Sequence, residues 1–140
     1  MKILLAVDGS EYSKRMLAYI AAHDELVGPA NEFTALTVVP AIPPHVQRYI
    51  SRQDLESHYA DEAKKVLEPI ETFARQQGWK FKVQHQVGSA GEVIADTATK
   101  GDYELLVMGS HGHGTIGSLV LGSVASRVLA QCKTPVLLVR

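Results

Sequence analysis

The sequence predicts an α/β fold, a three-layer sandwich in which one five-stranded parallel sheet lies between two layers of helices. Short continuous apolar runs, typical of strands buried on both faces, alternate with segments whose apolar residues recur at helical spacing. Turn residues separate these segments, and the order reads βαβαβαβαβ. Because strand–crossover–strand units are almost always right-handed, this order predicts a parallel sheet with helices on both faces. We expect strand order 3-2-1-4-5, in which the winding reverses between strands one and four, whose ends are Asp8 and Gly109.

The first part of the chain supplies two strands and the helix between them. Ile3–Val7 is a continuous apolar run and is predicted to be strand one. Ser10 is placed to cap the following helix, which we expect the Gly28-Pro29 pair to end. Phe33–Val39 is predicted to be strand two, and Pro40 stops it.

A loop and a long helix follow. The segment 40–52 holds three prolines and little periodicity, so it is predicted to be an exposed loop. The next helix carries apolar residues at helical spacing from Leu55 to Ala74, and Gly78 closes it. Pro69 lies inside this helix and lacks a backbone donor, so a kink or local break is expected there.

The third strand and its helix show alternation and a capping signal. Lys80–Val87 alternates apolar and polar residues and is predicted to be strand three. Ser89 and Glu92 match a capping box, in which each side chain satisfies a backbone N–H at the start of a helix. That helix is expected to continue to about Lys100.

The last part of the chain contains the most informative segment. Leu105–Met108 is predicted to be strand four, Leu119–Gln131 the last helix and Pro135–Val139 strand five. Between strand four and the helix lies a glycine-rich stretch from Gly109 to Ser123. Glycines let backbone N–H groups approach an anion closely, and a helix N-terminus adds unpaired donors, so this arrangement is typical of phosphate binding.

Length and composition limit the class of protein. A chain of 140 residues fits one domain, and its net charge of −1 does not point to nucleic acid or to an anionic membrane. The single cysteine, Cys132, excludes an intrachain disulfide and fits a reducing compartment. No stretch approaches about 18 apolar residues, and Asp8 comes too early for a signal peptide. We therefore expect a cytoplasmic protein without membrane or nucleic-acid partners.

Two phosphate-loop templates fit poorly. The segment from Gly112 to Gly117 matches the dinucleotide fingerprint, but no acidic residue follows Glu104, and the fingerprint belongs to a first strand. A Walker A loop requires a lysine where Ser118 stands. The pair His111 and His113 invites a metal, but two imidazoles without a further nearby ligand seldom make a specific site.

A third pattern carries a family resemblance. Gly109-x-x-Gly112, nine residues, then Gly122-Ser123 resembles the nucleotide-binding signature of the universal stress protein family. The segments Lys2–Ser10 and Lys133–Val139 resemble the two ends of that family's domain. The resemblance implies one universal stress protein domain over residues 1–140, with an adenine nucleotide alpha hydrolase-like fold.

The resemblance also implies a site for ATP, ADP or AMP, with any Mg²⁺ carried by the nucleotide and no catalytic residue. Asp8 would lie near the adenine and ribose, Val38 would contact adenine through its backbone, and the glycines would surround ribose and phosphates. The implied nucleotide-binding positions are Ala6, Asp8, Val38, Met108, Gly109, Gly112, Gly122, Ser123 and Val124. His111 stands where many relatives carry arginine, so we expect weaker binding that strengthens as the imidazole is protonated.

The sequence therefore favours a homodimeric nucleotide-binding protein that acts in the stress response through a regulatory role. Strand five, Val136–Val139, is an apolar edge strand that would pair across a two-fold axis. Slow ATP hydrolysis, with Asp8 or His111 positioning water, remains open. So does an interaction protein whose pocket is vestigial or takes a different ligand.

Overall fold

The computed structural model describes residues 1–23, 25, 30–114 and 120–140, which form a parallel sheet covered by helices. The elements in chain order are β1 (Lys2–Ala6), α1 (Glu11–Ala21), β2 (Glu32–Val39), α2 (Pro44–Gln47), α3 (Arg52–Gln77), β3 (Phe81–Val87), α4 (Ala90–Lys100), β4 (Leu105–Gly109), α5 (Ser123–Gln131) and β5 (Val136–Val139). The sheet order is β3-β2-β1-β4-β5 and the paired strands are parallel. The predicted fold class and strand order are confirmed.

Strand β1 lies at the centre of the sheet, where Ile3 is paired with Phe33 of β2 and Leu105 of β4. Because side chains alternate along a strand, Ile3 and Leu5 face one helix layer while Leu4 faces the other. The continuous apolar run of β1 is therefore buried on both sides, as its sequence predicted.

Two hydrophobic cores flank the sheet. Helices α1 and α3 cover one face, where Met16 and Ile70 are buried against the strands. Helices α4 and α5 cover the other face, where Ile94, Ala125 and Val128 are buried. Burying an aliphatic side chain of this size contributes about 1.5–3 kcal/mol, so both layers are held chiefly by apolar contact.

Serine side chains start two of the helices. The Ser10 hydroxyl accepts a hydrogen bond from the Ser13 N–H at the start of α1, at 3.4 Å. Ser51 accepts from the Asp54 N–H at the start of α3, at 3.0 Å. Ser89 is the N-cap of α4, as predicted, but its side chain makes no capping hydrogen bond, so the predicted capping box is wrong. Glu92 instead pairs with an arginine of α5, which draws its carboxylate away from the helix start.

Apart from one-residue shifts at strand ends, the structure differs from the predicted element bounds in three places. Helix α1 ends at Ala21, before the Gly28-Pro29 pair, which lies outside the described residues. The predicted loop 40–52 contains the short helix α2, because Pro44 has the fixed φ that suits a first helical position. Helix α5 begins at Ser123, because the Gly122 carbonyl accepts the first helical bond from the Ser126 N–H at 3.0 Å, while the Gly122 N–H donates to the Ser110 carbonyl at 2.8 Å. Leu119, the predicted start, lies outside the described residues.

Helix α3 is continuous through Pro69, so the expected local break is wrong. Proline removes the hydrogen bond to the carbonyl of Lys65, but both residues lie on the exposed face of the helix. Water can hydrate a carbonyl there, and the apolar face carrying Leu67 and Ile70 still holds the helix against the sheet.

Replacing Pro69 by alanine is expected to raise the free energy of unfolding by about 2 kcal/mol. Alanine is about 3 kcal/mol better than proline inside a helix, and about 1 kcal/mol of this is offset because the unfolded chain becomes freer. Urea denaturation followed by circular dichroism measures the change. The neighbouring exposed variant Glu68→Ala should shift stability by no more than about 0.5 kcal/mol. An unchanged or lower stability for Pro69→Ala would contradict the prediction.

Candidate functional site

A cavity of about 240 Å³ lies at the carboxyl ends of β1, β2 and β4, beside the first turns of α4 and α5. Every position that the family resemblance implied lines it: Ala6, Asp8, Val38, Met108, Gly109, Gly112, Gly122, Ser123 and Val124. The lining also includes residues that the sequence did not single out as nucleotide-binding: Val7, Ser13, Ala90, Ile94, His111, His113 and Ala125. The chain thus brings separate segments together where the winding of the sheet reverses.

One side of the cavity is apolar. Val38 and Met108 come from the ends of two strands, and Ala90 and Ile94 come from the first turns of α4. These side chains belong to the same hydrophobic cluster between the sheet and the α4–α5 layer. Such a surface suits a flat, weakly polar group, such as an aromatic heterocycle.

Asp8 closes the turn between β1 and α1. Its Oδ1 accepts hydrogen bonds from the Ser10 N–H at 2.8 Å and the Ser13 hydroxyl at 2.9 Å. Its backbone N–H donates to the Ser13 hydroxyl oxygen at 3.0 Å. Its Oδ2 lies on the side of Gly112, 2.7 Å from where a Cβ on that residue would lie. The carboxylate therefore has a structural role through one oxygen and faces the glycine loop with the other.

Two glycines of the motif, Gly109 and Gly122, permit close packing of the backbone. A Cβ on Gly109 would lie 2.7 Å from Cβ of Tyr12 and 3.1 Å from its carbonyl carbon. A Cβ on Gly122 would lie 3.1 Å from Cα of His111 and 3.2 Å from the Ser110 carbonyl oxygen. A side chain at either position would push the loop after β4 away from α1 or α5. The spacing of the motif thus reflects packing as well as any ligand.

The N-terminus of α5 faces the cavity. Gly122 is the N-cap and makes no side-chain capping hydrogen bond, and the Ser126 N–H donates to the Gly122 carbonyl at 3.0 Å. The N–H groups of Ser123, Val124 and Ala125 precede that bond and have no carbonyl partner within the helix. Together with the positive end of the helix dipole, these donors suit an anion.

His113 links the turn between β1 and α1 to the loop after β4, and these two segments form the polar side of the cavity. Its Nε2 lies 2.8 Å from the Asp8 carbonyl oxygen, so this nitrogen carries the hydrogen and donates. The His111 Nδ1 lies 2.8 Å from the Ser110 hydroxyl, and its ring lies 4.9 Å from the ring of Tyr12. Sequence spacing gave no signal for the His113 contact, because its partner is 105 residues away.

Three further expectations concern metals, phosphate loops and membrane spans. Among the residues that the structure describes, no group of three or more His, Cys, Asp or Glu side chains could hold a metal ion. Gly117 and Ser118, on which the two rejected phosphate-loop templates depend, lie outside the described residues. No helix in the described part of the chain is both long and apolar enough to cross a membrane.

Comparison with known proteins agrees with the motif. The profile described as "Universal stress protein family" matches residues 1–140. The chain belongs to the universal stress protein family. It is 34% identical over 143 residues to the "Universal stress protein in QAH/OAS sulfhydrylase 3'region" of Thermus aquaticus, covering 99% of this chain and 97% of that one.

Solved structures share the fold. MJ0577, a universal stress protein of Methanocaldococcus jannaschii, superposes with a TM-score of 0.83 at 30% identity, covering 99% of this chain and 94% of that one. A universal stress protein from Archaeoglobus fulgidus in complex with dAMP has a TM-score of 0.71 at 22% identity, covering 100% and 98% of the two chains. Further members of the same fold hold cAMP (TM-score 0.73, 22% identity, covering 100% and 97%) and, in Arabidopsis thaliana, AMP (0.69, 17%, covering 99% and 90%).

Replacing Gly109 by alanine is expected to lower the free energy of unfolding by about 1–3 kcal/mol, because the new Cβ meets the Tyr12 backbone. Gly112→Ala should cost less, because the atom facing it is the tip of the Asp8 side chain, which can rotate away. Chemical denaturation of both variants measures the difference. Equal losses, or no loss for Gly109→Ala, would show that packing against α1 does not require this glycine.

Proposed function

We propose that this universal stress protein binds an adenine nucleotide, ATP, ADP or AMP, in the cavity at the ends of β1, β2 and β4. The observation that supports the proposal is that one cavity collects all nine nucleotide-binding positions that the family resemblance implies, beside the uncapped N-terminus of α5. Relatives of the same fold that hold AMP, cAMP or dAMP support the adenine nucleotide as the ligand class.

The chemistry of the lining matches the parts of a nucleotide. In this proposal, adenine lies against the apolar side formed by Val38, Met108 and Ile94. The Asp8 carboxylate accepts from a ribose hydroxyl or an amino group through the oxygen that faces Gly112. The phosphates then meet the N–H groups of the first turn of α5 and the Ser123 hydroxyl.

The described lining of the cavity contains no lysine or arginine. Backbone N–H groups and the two histidines would therefore meet the phosphate charge, assisted by Mg²⁺ that the nucleotide brings with it. This composition favours binding over efficient phosphoryl transfer, which relies on cationic side chains. We propose a regulatory role in the cytoplasmic stress response, in which bound nucleotide shifts the population of conformations that partners meet.

Replacing Ser123 by alanine is expected to weaken AMP and ATP binding by about tenfold or more, because a hydrogen bond to a charged oxygen is lost. Isothermal titration calorimetry measures the change, and thermal unfolding verifies that the variant is folded. Ser126→Ala is the matched control, since this serine lies in the next turn of α5, outside the cavity lining, and its hydroxyl donates to the Gly122 carbonyl. It should bind as the wild type does.

Two results would contradict this assignment. If Ser123→Ala and the wild type bind both nucleotides with equal affinity, the phosphates do not bind at the Ser123 hydroxyl as proposed. The wild-type protein could also bind neither nucleotide, with none detected by mass spectrometry after denaturation. That result would favour the alternative of an interaction protein whose pocket is vestigial or takes a different ligand.

We also propose that the protein is a homodimer formed through β5. The carbonyls of Pro135 and Val139 accept from the N–H groups of Leu106 in β4 and of Ser110 directly after it, both at 2.9 Å. Since alternate residues of a parallel strand bond to the same neighbour, Val136 and Leu138 direct their backbone groups toward the open edge. This edge can pair with the same strand of a second copy.

Replacing Val136 by proline is expected to convert the dimer into a folded monomer, because it removes an outward N–H and leaves the bonds to β4 intact. Multi-angle light scattering measures the mass. His85→Pro is the matched control, since His85 directs its N–H outward at the opposite edge, on β3. It should remain dimeric. A monomeric wild type, or a dimeric Val136→Pro, would exclude β5 as the interface.

A further inference from the structure

We propose that Arg127 is a positioning residue that fixes α5 against α4 and so sets the spacing between the two sides of the cavity. The proposal rests on the proposed function, because it takes a nucleotide to be the ligand that touches both sides. Two observations carry it: the ion pair that Arg127 makes and the glycine on which its side chain lies.

The ion pair joins the two helices. The Arg127 guanidinium lies 2.8 Å from Oε1 of Glu92, which is on α4 and 35 residues earlier in the sequence. The two side chains are 51% and 57% exposed. Because an exposed pair of this kind contributes little to stability, the ion pair alone would not hold the helices in place.

The stronger constraint is the close contact between α4 and α5 at Gly91, where the absence of a side chain leaves room for the stem of Arg127. We call this contact the notch. This glycine is buried in the first turn of α4, and a Cβ on it would lie 2.7 Å from Cδ of Arg127 and 2.8 Å from its Cβ and Cγ. Cβ of Arg127 is attached directly to the α5 backbone and cannot swing away as the end of a side chain can. A methyl group at position 91 would therefore have to displace α5 from α4.

On both helices, the notch lies within about one helical turn of residues that line the cavity. On α4, Ala90 and Ile94 lie on either side of Gly91 along the helix, and both line the apolar side. On α5, Ser123 and Val124 lie four and three residues before Arg127, and both line the anion-binding turn. A shift of α5 at the notch would thus move the anion donors relative to the apolar side.

A fixed spacing matters only to a ligand that touches both sides at once. AMP would place its base on the apolar side and its phosphate at α5, so the first contact makes the second one favourable. Adenosine would occupy the apolar side and leave the α5 donors without an anion. Loosening the notch is therefore expected to weaken AMP binding more than adenosine binding.

The test is the ratio of AMP affinity to adenosine affinity, measured by calorimetry for the wild type and for Gly91→Ala. We expect the ratio to fall by about fivefold, while adenosine affinity changes by less than about twofold. Alanine is a better helix former than glycine, so a loss cannot come from a weakened α4. An unchanged ratio, or equal losses for both ligands, would overturn the proposal.

Two companion variants separate packing from charge. Arg127→Met keeps the aliphatic stem on Gly91 and loses the ion pair, so it should retain most of the wild-type ratio. Arg127→Ala combined with Gly91→Ala removes two of the three clashing carbons, so it should recover part of the ratio that Gly91→Ala loses. Arg75→Ala is the control, since it breaks a comparable exposed pair with Glu71 on α3. It should leave the ratio unchanged.

A second measurement does not depend on the ligand. Hydrogen exchange of the unliganded proteins should be faster in Gly91→Ala than in the wild type in the first hydrogen-bonded turns, which begin at the Val93 N–H in α4 and the Ser126 N–H in α5, with α3 unchanged. Unchanged exchange in those turns would overturn the proposal even if nucleotides bind. If the wild type binds no nucleotide but exchange quickens as expected, the proposed function fails while the positioning role of Arg127 stands.

Discussion

Strands β1 and β4 end side by side, and hydrogen-bonded side chains bridge the gap beyond their carboxyl ends. Asp8 occupies this gap, with one carboxylate oxygen bound by Ser13 and the turn into α1 and the other against Gly112. His113 returns from the β4 loop to bond to the Asp8 carbonyl. The cavity walls depend on this junction, because it orients the β1–α1 turn and the glycine loop together.

The helices on the two faces of the sheet make different contributions to the cavity. Helices α1 and α3 form one core and leave only Ser13, near the start of α1, in the cavity lining. Helices α4 and α5 form the other core and supply both an apolar side and an uncapped N-terminus. The same alternation of side chains that buries β1 therefore also places the chemically useful helix ends next to one another.

Local pattern was enough to predict the five strands and their alternation with helices, and the family resemblance named nine positions that the fold brings together in one cavity, because buried parallel strands and glycine spacing leave strong signals in a sequence. Contacts between residues that lie far apart in the sequence left no such signal. Glu92 matched a local capping box, yet its partner is Arg127 on another helix. Pro69 predicted a break, but apolar packing of the opposite face of α3 keeps the helix continuous. Tertiary contacts prevailed wherever they competed with a local preference worth only a few kcal/mol.

The N-cap of α5 differs in chemistry from the N-caps of α1 and α3. The side-chain oxygens of Ser10 and Ser51 accept hydrogen bonds from N–H groups at the starts of α1 and α3, whereas Gly122 has no side chain that could accept one at the start of α5. An aspartate or serine at position 122 would supply a capping oxygen of the kind that is worth about 0.5–2 kcal/mol. Its Cβ, however, would lie 3.1 Å from Cα of His111 and 3.2 Å from the Ser110 carbonyl oxygen, so crowding of the loop after β4 opposes that gain. Its oxygen would also occupy the donors that an anion needs, and so act as a tethered inhibitor. Crowding of the loop and anion binding therefore both favour glycine at this position.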